Sequence, residues 1–275
     1  MKYELLGSLR VVDERGASFI GAPKVAALLA TLLVRAEHVV AAEQLIEEIW
    51  GENPPRRAAA GIHVYVSDLR KFLHRPEQGD NPIVTRSPGY LLRLRESDEL
   101  DYRTFLELAE LGRGHVREHS LEEASGCFER ALGLWRGPML ADIGGGRVLS
   151  SFATWLTEVR MECTELLLDA QLRLGRHREL IGRIYSLTLE HPLREAFYRQ
   201  LMLALHRSDR RADALKVYQT ARTVLIDELA LEPCRALQEL HQAILRSDDS
   251  VLAPAGALPA AARGWESYRD GNAVA

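Results

Sequence analysis

Hydrophobic and polar positions change their period several times along the first 96 residues. Short apolar segments over residues 3–12 and 17–20, interrupted by turns, predict two or three antiparallel strands. Apolar residues three and four apart then predict helices over residues 23–36 and 42–50. A glycine and two prolines end the second helix, because glycine supplies a helix end and proline forbids continuation. The pattern therefore predicts a small sheet followed by at least two helices.

A third helix is predicted from Arg56 to His74, and its two sides differ in chemistry. One side carries a stripe of apolar residues that can be buried against a small domain: Ile62, Val66, Leu69 and Leu73. The other side carries small, hydrogen-bonding or cationic residues. Residues 55–75 contain five Lys or Arg and one Asp, whereas residues 37–52 contain five Glu and no Lys or Arg. This is the sharpest local change of charge in the chain.

Such a helix suits the major groove of DNA, where small side chains permit close approach and cations meet phosphates. A solvated surface helix explains the helix pattern equally well. The next segment favours the first interpretation, because residues 83–94 predict a β-hairpin with a turn at Ser87-Pro-Gly89 and Arg86 at its tip. A sheet, three helices and a terminal hairpin predict a winged helix.

The chain from residue 101 to residue 246 has helical periodicity throughout and no segment typical of a strand. One pattern recurs three times: an aromatic residue lies four positions after one small or aliphatic residue and three positions before another. The three occurrences are Ala124-x3-Phe128-x2-Ala131, Ile181-x3-Tyr185-x2-Thr188 and Ala214-x3-Tyr218-x2-Ala221. The last two are 33 residues apart, close to the tetratricopeptide period. We favour a helical-repeat domain over a generic bundle. The glycines at 144–146 predict a flexible linker rather than a phosphate cradle.

Three motifs of the first part, in their order and spacing, resemble the OmpR-type DNA-binding domain of bacterial transcription factors. They are Leu45-x3-Ile49-Trp50-Gly51, Val64-Tyr-Val-Ser-Asp-Leu-Arg-Lys-Phe-Leu73 and Thr85-Arg-Ser-Pro-Gly-Tyr-x-Leu92. The resemblance implies that the third helix lies in the major groove and that a wing cation, here Arg86, reaches the minor groove. Arg70 matches a basic residue near the end of the recognition helix. Asp68 departs from the family pattern, and either accepts a hydrogen bond from cytosine or pairs with Arg57 or Lys71.

The second part resembles the bacterial transcriptional activation domain of the SARP family, the Streptomyces antibiotic regulatory proteins. The motifs are His191-Pro-Leu-Arg-Glu195, Leu201-Met-x-Ala-Leu205, Arg211-Ala-Asp-Ala-Leu-Lys-Val-Tyr218 and Asp227-Glu-Leu-Ala-Leu-Glu-Pro233. In the last motif Ala230 replaces the usual glycine, which would shift the local turn slightly if that position needs a positive φ. The resemblance covers about residues 3–247.

We therefore expect a mainly α protein in three parts. Residues 1–96 form an N-terminal winged helix-turn-helix domain with α+β structure, and residues 97–247 form an all-α, tetratricopeptide-like activation domain. Residues 248–275, rich in Ala, Pro and Gly, are expected to be a disordered tail. A receiver domain and an ATPase module are absent from this scheme, so we expect the short form of the family.

The resemblance implies a sequence-specific activator of antibiotic or other secondary-metabolite genes. It would bind double-stranded DNA at direct repeats as a homodimer and recruit RNA polymerase holoenzyme through the σ factor. The candidates for base edges are His63, Val64, Ser67 and Lys71; for phosphates, Arg56, Arg57, Arg70 and Arg75; and for the minor groove, Arg86. The exposed candidates for polymerase are Glu43, Glu47, Glu48 and Glu52, for which plain solvation is an equal alternative.

Composition limits the remaining possibilities. The net charge of -4 argues against coating by nucleic acid, and residues 1–96 alone have more Lys and Arg (13) than Asp and Glu (12), so DNA contact is confined there. No apolar run could span a bilayer, and we expect a cytoplasmic protein without membrane contact. Phosphate-loop, catalytic and metal-site motifs are missing, so we expect no enzyme activity, cofactor or metal. An interaction adaptor, in which the winged helix serves assembly only, is the alternative function.

Overall fold

The computed structural model describes residues 1–75 and 81–247, and this part of the chain is mainly helical. The tail expected at residues 248–275 lies outside the described residues. The strands are β1 Lys2–Glu4, β2 Arg10–Asp13, β3 Gly16–Phe19, β4 Val40–Ala41, β5 Ile83–Arg86, β6 Gly89–Leu92 and β7 Glu99–Leu100. The helices are α1 Pro23–Val34, α2 Ala42–Trp50, α3 Ala58–Phe72, α4 Asp101–Arg117, α5 Leu121–Gly133, α6 Arg147–Arg173, α7 His177–Glu190, α8 Glu195–His206, α9 Arg211–Leu229 and α10 Arg235–Arg246.

The first part of the chain contains two small sheets. The first has the order β3-β2-β1-β7, with β1 antiparallel to β2 and parallel to β7. The second has the order β4-β6-β5, and all of its pairs are antiparallel. The predicted strands and hairpin are thus confirmed, while the sequence pattern did not reveal β4 and β7. Each of these is two residues long, which is too short to show an alternating pattern.

The predicted apolar stripe of α3 is buried, with Ile62, Val66, Leu69 and Leu73 each at most 1% exposed. Burying a side chain of this size contributes about 2 kcal/mol. The helix is shorter than predicted, because Arg57 has non-helical backbone angles (φ -110°, ψ 29°) and Leu73 caps the C-terminus. Burial of one side leaves the opposite side of α3 as the exposed face of the helix-turn-helix.

Gly89 allows the wing to approach β4 closely. A Cβ atom at this position would lie 1.9 Å from the backbone oxygen of Val40. In the ladder, Val40 pairs with Tyr90 and Ala41 pairs with Gly89. Any other residue would push β6 away from β4, so glycine is required here for close packing rather than for a positive φ.

The winged helix lies in a compact unit that continues past residue 96. This unit comprises residues 1–108 and 130–160, and the second unit comprises residues 109–129 and the described residues from 161 onward. Asp101, which is 2% exposed, accepts hydrogen bonds from the backbone N–H groups of Leu5 (2.8 Å) and Leu6 (2.9 Å). Burial raises the pKa of Asp101 above its ordinary value. The boundary at residues 96 and 97 stays a prediction.

The second unit contains most of the predicted helical repeat. In α5 and α9 the recurring positions are buried: Ala124, Phe128, Ala131, Ala214, Tyr218 and Ala221. In α7 Thr188 is buried but Tyr185 is 39% exposed, so the pattern is only partly a core pattern there. The described residues from 101 to 246 contain no strand, as predicted.

Ala230 adopts the conformation for which glycine is preferred. It ends α9 in the left-handed region at φ 55° and ψ 32°, and its N–H donates to Ile226 O at 2.9 Å. Leu231 N donates to Leu225 O at 3.3 Å, as in a normal helix end of this kind. The expected shift of the turn therefore does not occur, and the alanine bears a strain of about 1 kcal/mol instead.

Candidate nucleic-acid interface

The exposed face of α3 combines an apolar residue with polar and cationic residues. Val64 is 56% exposed on this face. His63, Ser67 and Lys71 are exposed beside it. The four predicted base-reading residues are therefore brought together on one accessible surface. A small apolar side chain can meet a thymine methyl group, and the polar neighbours can bond to base edges.

The helix is held at its angle by aromatic packing on α2. The rings of Trp50 and Tyr65 stack with centroids 5.8 Å apart and an interplanar angle of 20°. Lys24 Nζ lies 5.2 Å from the centroid of the Trp50 ring. A Cβ atom at Gly61 would lie 3.2 Å from the Trp50 ring, so the lack of a side chain there permits this contact. These contacts fix the orientation of α3 relative to α2.

The arginines predicted to meet phosphates differ in the partners that the fold gives them. Arg56 and Arg57 are exposed and have no ion pair within residues 1–75 and 81–247. Arg75 instead pairs with Asp13 at 2.5 Å, and its side chain is only 10% exposed. It also donates hydrogen bonds to the carbonyl oxygens of Phe72 and His74, both at 2.9 Å. We therefore withdraw Arg75 from the phosphate group, because its guanidinium is occupied within the protein.

Arg70 links α3 to the wing. Its Nε donates to Ile83 O at 3.0 Å, and its NH2 group donates to Thr85 Oγ1 at 2.8 Å. Asn81, which sequence reasoning missed, donates from its side chain to Arg70 O at 2.8 Å and accepts from Ile83 N at 3.0 Å. These bonds couple α3 to β5. The position of the helix therefore sets the position of the wing.

Arg86 lies at the end of β5, next to the two-residue turn of the wing. It pairs in the ladder with Gly89, and its side chain is exposed. Like Arg56 and Arg57, it makes no ion pair with a residue that the structure describes. The structure therefore leaves the predicted wing cation accessible at the tip of the hairpin.

Asp68 and Lys71 form only a loose pair. Lys71 Nζ and Asp68 Oδ1 are 4.0 Å apart, and the two side chains are 78% and 53% exposed. An exposed pair of this kind contributes about 0–1 kcal/mol. Lys71 can therefore leave Asp68 for an external partner.

His63 is in contact with a buried tyrosine of the wing. The Tyr90 hydroxyl oxygen and His63 Nδ1 are 2.6 Å apart, and the two rings meet edge to face with centroids at 6.2 Å. Tyr90 is 3% exposed. Sequence reasoning used Tyr90 only as part of a family motif, and the 27 residues that separate the pair gave no local signal of the contact.

The four glutamates predicted to meet polymerase, which lie in α2 and just after it, do not form one exposed group. Glu43, Glu47 and Glu52 are exposed. Glu48 is 4% exposed, and its carboxylate accepts hydrogen bonds from the N–H groups of Val148 (2.9 Å) and Leu149 (2.8 Å). These donors lie in the first turn of α6, where a negative charge is favourable. The expectation that Glu48 is exposed for polymerase is therefore wrong.

Of the glycines at 144–146, Gly146 is part of the same contact. A Cβ atom at Gly146 would lie 2.7 Å from Cα and from the backbone oxygen of Glu48. The prediction of a flexible linker missed this role, because the close approach is made to a residue about 100 positions earlier. Glycine lets the start of α6 come close enough for Glu48 to cap it.

No helix in the described part of the chain is long and apolar enough to span a membrane. Among the same residues, no three His, Cys, Asp or Glu side chains form a group that could hold a metal ion.

Comparison with protein families identifies both parts of the chain. Residues 16–92 match the family described as transcriptional regulatory protein, C terminal, and residues 100–245 match the bacterial transcriptional activator domain. Together these matches reproduce the two parts that the sequence motifs had indicated.

The chain covers very different shares of its individual relatives. The chain is 37% identical to the regulatory protein AfsR of Streptomyces griseus over 93% of this chain, but it spans only 26% of that protein. It is 35% identical to the regulatory protein DnrI of Streptomyces peucetius, covering 95% of this chain and 98% of DnrI. Among solved structures, Mycobacterium tuberculosis EmbR in complex with a low affinity phosphopeptide matches with a TM-score of 0.83 and 34% identity. That match covers 90% of this chain and 65% of the EmbR chain.

Proposed function

The chain belongs to the SARP family of bacterial transcriptional regulators, and we propose that it acts as a sequence-specific DNA-binding activator. The observation that carries the proposal is the exposed surface formed by α3 and the wing. Its cations Arg56, Arg57 and Arg86 have no ion pair with the described residues, while Arg75 nearby is engaged internally. A surface that leaves several arginines unpaired suits a polyanion supplied from outside.

In the proposed complex α3 enters the major groove, which is about 12 Å wide and admits a helix. His63, Val64, Ser67 and Lys71 face base edges, and Arg56 and Arg57 meet phosphates near the start of the helix. Arg86 enters the adjacent minor groove. Arg70 contributes through its bonds to Ile83 and Thr85, which hold the wing at a fixed distance from α3. The helix and the wing then contact two grooves at once.

The family membership also supports a wider proposal about transcription. Two protomers would bind direct repeats side by side, in the cytoplasm where bacterial DNA is located, and would recruit RNA polymerase through its σ factor. The exposed residues Glu43, Glu47 and Glu52 are the remaining acidic candidates for the polymerase contact. The target genes would be antibiotic or other secondary-metabolite biosynthesis genes.

The proposal is tested by the salt dependence of DNA binding. Three to five phosphate contacts predict a log-log slope of affinity against salt of roughly -3 to -5. The double variant Arg56→Ala/Arg57→Ala should reduce the magnitude of this slope by about two, because each removed phosphate contact removes close to one released cation. The matched control, Arg178→Ala/Arg183→Ala, removes two exposed arginines from α7 in the second unit. It should leave the slope unchanged.

Equal effects of the two double variants would contradict the proposed surface, since they would mean that net charge rather than position determines binding. Absence of salt-sensitive binding by the unmodified protein would favour the adaptor instead. In that case the helical repeats would be the binding module and the winged helix an assembly element.

A further inference from the structure

We propose that Tyr90 acts through His63 to make the recognition helix select guanine at one position of the operator. This inference rests on the proposed DNA-binding function and names part of what is recognised. Tyr90 is a positioning residue, because it is buried and has no access to DNA. His63 is exposed on α3 and is the side chain that meets the base.

The hydrogen bond between the two rings determines which imidazole nitrogen carries the proton. Tyr90 OH and His63 Nδ1 are 2.6 Å apart, and within residues 1–75 and 81–247 the hydroxyl has no other hydrogen-bond partner. If Nδ1–H donated to the phenol oxygen, the hydroxyl proton would be left buried without an acceptor, which is unfavourable. The hydroxyl therefore donates to Nδ1, and neutral His63 carries its proton on Nε2.

Protonation of the ring does not change what His63 offers to DNA. In the imidazolium both nitrogens carry protons, so Nε2 is a donor in that state as well. The contact with Tyr90 thus removes the tautomer in which Nε2 would accept a hydrogen bond. His63 is presented as a hydrogen-bond donor whether it is neutral or charged.

A single donor is best satisfied by guanine in the major groove. Guanine presents two adjacent acceptors, N7 and O6, whereas adenine places an amino group beside its N7 acceptor. Cytosine presents an amino donor, which would oppose the Nε2–H group directly. Thymine offers one acceptor, O4, with a methyl group beside it. Guanine is the base whose groove edge contains no group that competes with the donor.

The wing holds Tyr90 in place for this role. Tyr90 pairs with Thr85 in β5 and with Val40 in β4, so it lies on the central strand of its sheet. Gly89 beside it allows the close approach to Val40. A backbone paired on both sides holds Tyr90 in place before DNA binds, and such preorganisation limits the entropic cost of recognition.

The first test needs no DNA. Long-range ¹⁵N–¹H correlation NMR on the full chain reports which nitrogen of each neutral histidine carries the proton, and the His63 signals are assigned by their loss in His63→Gln. We expect the Nε2–H form in the unmodified protein and a mixture of both forms in Tyr90→Phe. A Nδ1–H form, or a spectrum that Tyr90→Phe does not change, would overturn the assignment.

The second test is selection of bound duplexes from a random pool, followed by sequencing, at two salt concentrations. The unmodified protein should enrich guanine at one position, and His63→Ala should lose that preference. His63→Gln should shift it toward adenine, because an amide presents a donor and an acceptor together. Tyr90→Phe should reduce the guanine preference three- to tenfold and leave the other positions unchanged.

Tyr102→Phe is the matched control. Tyr102 is another buried tyrosine of the first unit, 6% exposed, and its hydroxyl donates to Leu33 O at 3.4 Å. Removing this hydroxyl should leave the base preferences as they are. An equal loss at every position in Tyr90→Phe would mean a purely structural role and would overturn the assignment to Tyr90.

The selection experiment gives different results if this inference fails and if the proposed function fails. If the unmodified protein selects an operator but His63→Ala keeps every base preference, the guanine-reading role is overturned and DNA binding stands. His63 is exposed, so this variant is expected to fold even if Tyr90→Phe does not. If the unmodified protein selects no sequence at either salt concentration, the proposed function itself fails, and the role in base selection falls with it.

Discussion

Helices α2 and α3 are neighbours in the chain and both carry charged side chains, but the charges serve different purposes. Glu48 of α2 is buried and caps α6, while Arg56, Arg57 and Lys71 at α3 are exposed. Both helices look like charged surface helices in the sequence. The difference teaches that a charge indicates an external ligand only where the fold supplies no partner for it.

The same distinction divides the arginines near α3. Arg75 pairs with Asp13 and bonds to two carbonyl groups, whereas Arg57 has no such partner in the described residues. Arg70 falls between them, because it braces the wing and also lies beside the exposed face. Variants that remove a charge should therefore affect either folding or DNA binding, according to the partner.

The largest effect is expected for Glu48→Ala. Loss of the carboxylate leaves two N–H groups at the start of α6 without an acceptor and should lower the free energy of unfolding by about 2–4 kcal/mol. Urea denaturation followed by circular dichroism measures this change. Glu47→Ala is the control, since Glu47 is exposed on the same helix and its loss should cost less than about 0.5 kcal/mol. Equal costs for both variants would contradict the capping role.

Lys71→Ala should affect DNA binding and not the stability of the fold. The unfolding free energy should change by less than about 0.5 kcal/mol, because the pair with Asp68 is loose and exposed. Affinity for operator DNA should fall by about 1–3 kcal/mol, with a changed preference at one position, if Lys71 contacts a base. Fluorescence anisotropy with a set of single-base operator variants measures both quantities. Unchanged affinity and preference would remove Lys71 from the interface.

A direct comparison of Arg57→Ala with Arg75→Ala sharpens the division among the arginines. Arg57→Ala should weaken DNA binding by about 1 kcal/mol and reduce the magnitude of the salt slope by about one, without loss of stability. Arg75→Ala should destabilise the fold by about 1–2 kcal/mol, because Asp13 and two carbonyl groups lose their donor. Measuring melting and binding for both variants separates the two roles. If the two variants changed stability and DNA affinity equally, the ion pair of Arg75 with Asp13 would not separate its role from that of Arg57.

The smallest effect concerns a position where the fold demands a backbone conformation rather than a charge. Ala230→Gly should stabilise the protein by about 0.5–1 kcal/mol, because glycine occupies the left-handed region without strain. Ala153→Gly in the interior of α6 is the control and should destabilise by about 1 kcal/mol. If Ala230→Gly destabilises as much as the control, the alanine is not strained.

Features that depend on neighbours in the chain could be predicted from the sequence. The period of the apolar residues located the buried stripe of α3, and turn residues located the wing between β5 and β6. The accessible residues of the candidate site, such as Val64 and Arg86, followed from the same pattern. These predictions succeed because a helix or hairpin imposes its geometry on residues a few positions apart.

Features that depend on distant partners could not be predicted in this way. Glu48 looks like any other glutamate of α2 until the start of α6, about 100 residues later, comes against it. Gly146 looks like a linker residue for the same reason. Arg75 is engaged by Asp13, 62 positions earlier. Local periodicity contains no information about such contacts, which arise only when the whole unit packs.

The most direct test of the central claim is selection of bound sequences from random duplexes by the unmodified protein, with affinity for the selected sequence then measured across salt concentrations. The proposal predicts enrichment of a direct repeat and a log-log salt slope of roughly -3 to -5. Absence of any enriched sequence at either low or high salt would contradict it, because the exposed face of α3 would then have no DNA partner.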